Sequence, residues 1–306
     1  MADSASLNGS YLPLNQSHYR LVILVMSFVL VGCDPAEFSD NRVSELKTTD
    51  AVFTQVARDA TASGIQPVFG IDHSRLAEEA GETLDASKVG FYTNPETNSR
   101  ILKEEIRTGL DLPYRIQAYY HQKELHIVYT SVDFIRIRHG LSNPGGLEEF
   151  QQDIDSLTAG VPGAKPLEHQ TLVKNFGIIE LESAFGFDES VKRLKKTILA
   201  EGDTVWFQDI DYQKQARNFG IELPRSMLLV FGAPAPGAKA MRNHPSIGLD
   251  AFAQKVLVYE QNDKVFVIYN EIPEMARLHY QDTGIPHYVI AYRLKSTLSS
   301  AIAASG

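Results

Sequence analysis

Ile210 to Gln261 reads IDYQKQARNFGIELPRSMLLVFGAPAPGAKAMRNHPSIGLDAFAQKVLVYEQ, and Ile71 to Gln122 reads IDHSRLAEEAGETLDASKVGFYTNPETNSRILKEEIRTGLDLPYRIQAYYHQ. Set against each other without a gap, at an offset of 139, they share Ile71-Asp72 with Ile210-Asp211, Ala77 with Ala216 and Gly81 with Gly220. Leu84 meets Leu223, Ser87 meets Ser226 and Pro95 meets Pro234. Gly109-Leu110-Asp111 falls on Gly248-Leu249-Asp250, Tyr120 on Tyr259 and Gln122 on Gln261. These are twelve identities in a window where chance supplies roughly three, which is the signature of an internal duplication. An offset of 138 brings Asp50 onto Asp188 and Gly64 onto Gly202, so one residue differs in the loop between.

Each copy carries the same pattern. Asp188 is placed to cap a helix whose Val191, Leu194, Ile198 and Leu199 form an apolar stripe, with Gly202 ending it. Asp50, Phe53, Val56, Ala60 and Gly64 repeat the arrangement. A short strand follows (Val205–Ile210, or Val68–Ile71), then a short helix opened by Asp211 or Asp72 and closed by Gly220 or Gly81. Met227 to Phe231 is a continuous apolar run bounded by Pro and Gly, the mark of a buried strand; Lys88 to Tyr92 is its weaker twin. Lys255–Glu260 with Val265–Tyr269, and Arg115–Tyr120 with Leu125–Tyr129, read as hairpins. The expected fold class is α+β: two tandem homologous α/β sandwich modules with mainly antiparallel sheets. The first module is set at 41–138, a linker at 139–171, the second module at 172–280 and a C-terminal tail at 281–306.

Residues 1–33 read as a signal. Leu21 to Cys33, LVILVMSFVLVGC, is uncharged and ends on the chain's single cysteine. It is too short for a bilayer span, which takes ~20 apolar residues, and it has the length of a secretory signal core. Leu30-Val31-Gly32-Cys33 resembles the bacterial lipobox, which implies cleavage before Cys33 and a lipid anchor on its thiol. The expected location is the cell envelope on the periplasmic face, with Asp34 favouring the inner membrane. With Cys33 lipidated, no thiol remains for disulfides, thiolate metal sites or thiol catalysis. The net charge is −9, and the first 33 residues contribute one Asp and one Arg to it. That acidity argues against nucleic acid and against a broad basic face on anionic lipid.

Phe231-Gly232-Ala233-Pro234, Gly248-Leu249-Asp250, the Val256–Tyr259 strand and a hairpin ending in Tyr269-Asn270 resemble domain-of-unknown-function family 302. The first copy keeps complementary pieces, Asn94-Pro95 and Leu110-Asp111-Leu112-Pro113. Thr93 stands where that family's pattern has Gly, and Ala233 where it has Asn. The resemblance implies a small, often dimeric α/β sandwich and no established activity. Two copies in one chain would then replace the dimer, as a pseudo-dimeric monomer, or pair again as a homodimer.

Candidate ligand-binding residues are Asn94, Pro95, Asp111, Gly232, Pro234, His244 and Asp250. Asp111 and Asp250 sit in a repeated Gly-Leu-Asp between loop and strand, where a carboxylate either positions a ligand or ties down nearby amides. The Asn94-Pro95 and Gly232–Pro234 turns leave a buried strand, a common place for ligand contacts. Of His73, His121, His126 and His244, none meets a histidine in the other copy at the offset of 139. No zincin motif, Cys/His zinc spacing, phosphate loop or serine elbow is present, so no metal, cofactor or catalytic residue is assigned. Lys192-Arg193 and Lys195-Lys196 read as the solvated face of a helix. The expectation is an envelope-anchored binding module for a small molecule or an envelope protein partner. The alternative is an acid/base hydrolase or isomerase using Asp250 with His244 in the second module.

Overall fold

The computed structural model describes residues 35–304 except residue 170. Cys33 and the apolar run before it lie outside the described residues. In the first copy α1 (Pro35–Ser63) leads to β1 (Gln66–Asp72), α2 (His73–Glu79), β2 (Ser87–Thr93) and α3 (Pro95–Glu104). A 3₁₀ turn (Ile106–Leu110), β3 (Tyr114–His121), β4 (Glu124–Thr130), α4 (Val132–His139), α5 (Pro144–Thr158) and β5 (Ala164–Leu167) complete it. The second copy runs through β6 (Ile178–Glu182), α6 (Phe187–Leu199), β7 (Val205–Asp211), α7 (Tyr212–Arg217), β8 (Ser226–Gly232) and α8 (Pro234–Met241). It closes with a 3₁₀ turn (Pro245–Gly248), β9 (Gln254–Gln261), β10 (Lys264–Asn270), α9 (Ile272–Tyr280) and α10 (Ile285–Ile302). The sheets run β1-β2-β3-β4-β5 and β6-β10-β9-β8-β7, antiparallel throughout except for the β4–β5 pair. The fold class is therefore the expected one, α+β with two mainly antiparallel modules.

Local chemistry accounts for the element ends. Asp72 and Asp211 accept the backbone N–H of Arg75 and Lys214, at 2.9 and 2.8 Å, and so start α2 and α7. The hairpins turn on Gln122-Lys123 and Asn262-Asp263, all at positive φ (52°, 67°, 53° and 59°), which suits the right-handed twist of the strands they join. β8 is apolar from Met227 to Phe231 because both its faces are covered. Leu228 and Val230 enter the core shared by the modules, while Leu229 and Phe231 pack with Leu194 and Ile198 of α6.

Two helix starts differ from expectation. Asp50 lies inside α1, because nothing between Asn41 and Thr49 breaks a helix, and it pairs with Arg75 and Lys88 at 2.7 and 2.9 Å. Gly186, rather than Asp188, is the N-cap of α6; Asp188 sits in the first turn and pairs with Arg225. The segment read as a linker carries α5 and β5. Leu147, Phe150, Ile154 and Leu157 bury one face of α5, and β5 extends the first sheet alongside β4. In the tail, α10 buries Leu294, Leu298, Ala301 and Ile302 in the outer core of the second module.

The modules share one core. The Ile106–Leu110 turn lies against β9 and β8, and the Pro245–Gly248 turn against β3 and β2, so each copy covers the other's sheet. The repeated glycines permit that approach. A Cβ on Gly109 would stand 2.9 Å from the Tyr212 ring, and one on Gly248 would stand 2.4 Å from the Gln117 amide. The duplication also carries an insertion that a gapless comparison hides. Two residues separate Asp111 from β3, but three separate Asp250 from β9. From there onward the structural offset is 140: Ser87 pairs with Tyr119 and Ser226 with Tyr259. The Tyr120/Tyr259 and Gln122/Gln261 identities are thus not equivalent positions.

Candidate functional site

With the offset corrected, Arg115 is the counterpart of Lys255, and His139 the counterpart of His279. All of them meet at the repeated aspartates. Asp111 Oδ2 faces His139 Nε2 at 2.8 Å, and Asp250 Oδ2 faces His279 Nε2 at 2.9 Å. The strand cations cross between modules: Arg115 Nη2 donates to Asp250 Oδ1 at 2.6 Å, and Lys255 Nζ to Asp111 Oδ1 at 3.3 Å. Each copy thus holds its own aspartate by a histidine and lends a cation to its partner. Both carboxylates, Arg115 and Lys255 are almost wholly withdrawn from solvent.

Such burial is tolerated only when the charges satisfy one another. Burial alone would raise the Asp111 pKa, but Arg138, Lys255 and His139 outweigh it and hold the carboxyl well below its ordinary range. Asp250 is likewise held down, against burial, by Arg115, His279 and Lys255. Burial and the Arg115 charge push Lys255 down to about 7, against the pull of Asp111 and Asp250.

Arg138 breaks the symmetry. Its Nη1 donates to Asp111 Oδ2 at 2.7 Å, its Nη2 to Asn270 Oδ1 at 2.8 Å and its Nε to the Phe176 carbonyl at 2.9 Å. The helices α4 and α9 begin after Ser131 and Glu271, again 140 apart, so Leu278 occupies the Arg138 position in the second copy. Among the described residues no guanidinium donates to Asp250 Oδ2 there. His169, from the segment after β5, brings its ring to 4.9 Å from that of His279. His169 also lines a cleft of about 320 Å³ together with Tyr129, Ser131, Phe134 and Glu168. On the other side of His279, Nδ1 lies 3.0 Å from Ser246 Oγ, and Tyr280 Oη accepts the Ser246 backbone N–H at 2.8 Å.

The remaining candidate residues are distributed differently from expectation. Asp250 and Asp111 lie at the polar centre, as charged anchors between modules. His244 does not pair with Asp250: its Nε2 is 3.8 Å from Asp282, and its ring packs edge-on against Tyr280 and His287. Sequence distance misled here, because α9 brings His279 back onto Asp250. Asn94 caps α3 through the Thr97 N–H and bonds Asp153 of α5, while Pro95 opens the same helix. Gly232 and Pro234 line a small apolar cavity of about 30 Å³ with Ile71, His73 and Phe252, room for roughly one or two waters. Gly232 also lacks space for a Cβ, which would come 2.9 Å from the Phe207 ring. Outside the Gly-Leu-Asp turns, then, these positions lie away from the paired aspartates. Arg115, Arg138, His139, His169, Ser246, Lys255 and His279 were not among the candidates. A single gap in the internal alignment would have paired Arg115 with Lys255 and His139 with His279.

Comparison with known proteins fits this duplicated architecture. The sequence profile described as "Domain of unknown function DUF302" matches residues 41–160 and again 179–305. The chain belongs to the DUF302 family. Its two DUF302 matches reach past the expected module ends and take in α5 and α10. A "Fluoride-specific ion channel FluC 1" of Brucella suis is 27% identical over 103 residues, 34% of this chain and 40% of that protein. The FluC 1 protein of Brucella abortus matches at the same identity over 38% of its length. The matched segment therefore spans about two fifths of these curated relatives. A solved structure titled "Crystal structure of uncharacterized conserved protein DUF302 from Bacillus stearothermophilus" is 16% identical, with a TM-score of 0.34, covering 41% of this chain and 95% of that one. Among the described residues of this DUF302 protein, no helix is long and apolar enough to cross a membrane.

Proposed function

We propose that this protein is an envelope lipoprotein, tethered through Cys33, whose two fused copies act as one binding unit for a small polar ligand. The observation that carries the binding role is the asymmetry of the repeated network. Asp111 is saturated by His139, Arg138 and Lys255. Asp250 and His279 instead lie next to His169, and it is His169 that lines the 320 Å³ cleft. Duplication supplies two equivalent Asp–His pairs; with Leu278 where the first copy has Arg138, the second pair is the one left open to a ligand. The cleft wall contributes Ser131, Asp133, Gln151 and Glu168 as hydrogen-bonding groups beside the apolar faces of Phe134 and Leu172, the mixture that orients a small ligand.

Native mass spectrometry of the full chain, released gently from detergent, tests the binding role. The expected result is an organic mass that disappears on denaturation and is lost in Phe134→Ala; a bare mass at every ligand concentration tried would end the proposal. For the anchor, growth on labelled fatty acid is expected to label the natural chain and not Cys33→Ser. Label retained by that variant would remove the lipoprotein assignment.

One observation favours a second function, acid/base catalysis. Ser246 Oγ, His279 and Asp250 form a continuous hydrogen-bonded chain of 3.0 and 2.9 Å, the order in which a base polarises a hydroxyl. Covalent capture of Ser246 by a fluorophosphonate would favour that function over simple binding.

A further inference from the structure

The two Asp–His pairs differ in what surrounds the carboxylate oxygen. Asp111 Oδ2 is shared by His139 and Arg138, which leaves it no free lone pair in the plane of the carboxylate. Among the described residues, Asp250 Oδ2 has a single partner, His279 Nε2. His169, Asp250 and His279 each offer one donor atom, and the three lie within 4.8 Å of one another. His169 Nδ1 is buried and has no hydrogen-bond partner among the described residues. A buried imidazole nitrogen without a partner is costly unless something fills the space before it.

We propose that His169, Asp250 and His279 bind one divalent metal ion of the zinc class at the junction of the two modules. The donor set is two imidazoles and a carboxylate, which suits borderline first-row ions and leaves a coordination position for water or a ligand. The supporting shell is already built. Arg115 fixes Asp250 through Oδ1 and leaves Oδ2 to the metal. Ser246 Oγ stands 3.0 Å from His279 Nδ1, so the imidazole proton can move from Nε2 to Nδ1, donate to the serine and present Nε2 to the ion without a change in total charge. Outer-shell partners of this kind orient a metal-bound histidine.

The neighbouring cations set the selectivity. Arg115 and Lys255 oppose any ion held by charge alone, so magnesium and calcium, which need several oxygen ligands, are disfavoured. Zinc gains enough from two nitrogen ligands to bind beside them. His169 comes from the first module's end and His279 from the second module's α9, so the ion would cross-link the two copies. The site extends the binding function proposed above but does not depend on an organic ligand.

The test is calorimetric titration of the full chain, purified in detergent without a histidine tag, with zinc chloride and separately with magnesium chloride. Visible absorption of the Co²⁺ form reads imidazole coordination. One zinc per chain is expected, with no magnesium uptake. His169→Gln leaves both ion networks intact and is expected to weaken zinc binding at least tenfold at unchanged circular dichroism. His244→Gln, at the separate His244/His287/Asp282 cluster, is expected to bind zinc as the natural chain does. Absence of zinc uptake, undiminished uptake by His169→Gln or loss of uptake in His244→Gln would each overturn the site. A bound organic mass and a bound ion are read by different experiments, so the metal site and the ligand role fail separately.

Discussion

Asp111→Ala is expected to destabilise the protein by ~3–5 kcal/mol, the cost of leaving buried charges without their partner. Removing the carboxylate strands Arg138, Lys255 and His139, all within 3.3 Å of it and almost fully buried. The guanidinium of Arg138 keeps Asn270 and the Phe176 and Gly177 carbonyls, but its charge stays in the interior uncompensated. Asp111→Asn should fall between, because it keeps the shape and an acceptor oxygen while losing the charge. Urea denaturation gives the comparison, with Asp50→Ala as the control. Asp50 pairs with Arg75 and Lys88 at a surface where the side chains are a quarter to two fifths exposed, and such pairs contribute at most ~1 kcal/mol. A loss at Asp111 no larger than at Asp50 would mean that the central cations find water, and the account of the junction would be wrong.

Acid is expected to loosen the module interface through His73. Its Nε2 lies 2.6 Å from the Phe252 carbonyl in the other module, the counterpart of Tyr212, whose hydroxyl reaches the Gly109 and Leu112 carbonyls. Burial pushes the His73 pKa down to about 4, against the bond to Phe252 and the Asp72 charge. The unfolded chain, with an ordinary histidine pKa, therefore binds more protons than the folded one between about 4 and about 6.5. The stability tied to His73 is complete above that window and falls as pH drops through it, by up to about 3 kcal/mol. His73→Gln keeps a donor for Phe252 and removes the titration. The difference between the urea midpoints of natural chain and variant should narrow or reverse from pH 7 to pH 4.5. Parallel curves would show that His73 takes up its proton equally in the folded and unfolded chains, and would end this account.

Much of the fold was legible because it rests on local signals. Asp72 and Asp211 are N-caps, Gly81 and Gly220 follow their helices, the hairpins turn where their polar pairs lie, and β8 is apolar because two layers cover it. The repeat itself was visible in residues that those local roles demand twice. The ends of the modules were less legible. Residues 144–167 hold Pro and Gly punctuation that reads as linker, yet Leu147, Phe150, Ile154 and Leu157 bury a helix face. Helix spacing was present there, but Pro144 and Gly145-Gly146 at the helix start resemble a loop.

The site was only half legible, through Asp111 and Asp250. Its other members are set by one extra residue between Asp250 and Gln254, which moves Lys255 onto Arg115 and His279 onto His139. A gapless comparison pairs those residues with the wrong partners and makes the histidines look unrepeated.

By itself the sequence determined the α+β class, the Asp72 and Asp211 caps, the hairpin turns and which strands are buried, because each depends on residues close to one another in the chain. It determined the duplication because those local signals recur at a fixed offset. Only the tertiary structure decided that the copies exchange cations across a common core, that Asp250 answers to His279 rather than His244, and that His169 joins them. Those contacts join residues 29 to 144 positions apart, and what selects them is mutual satisfaction of charge in a space without water.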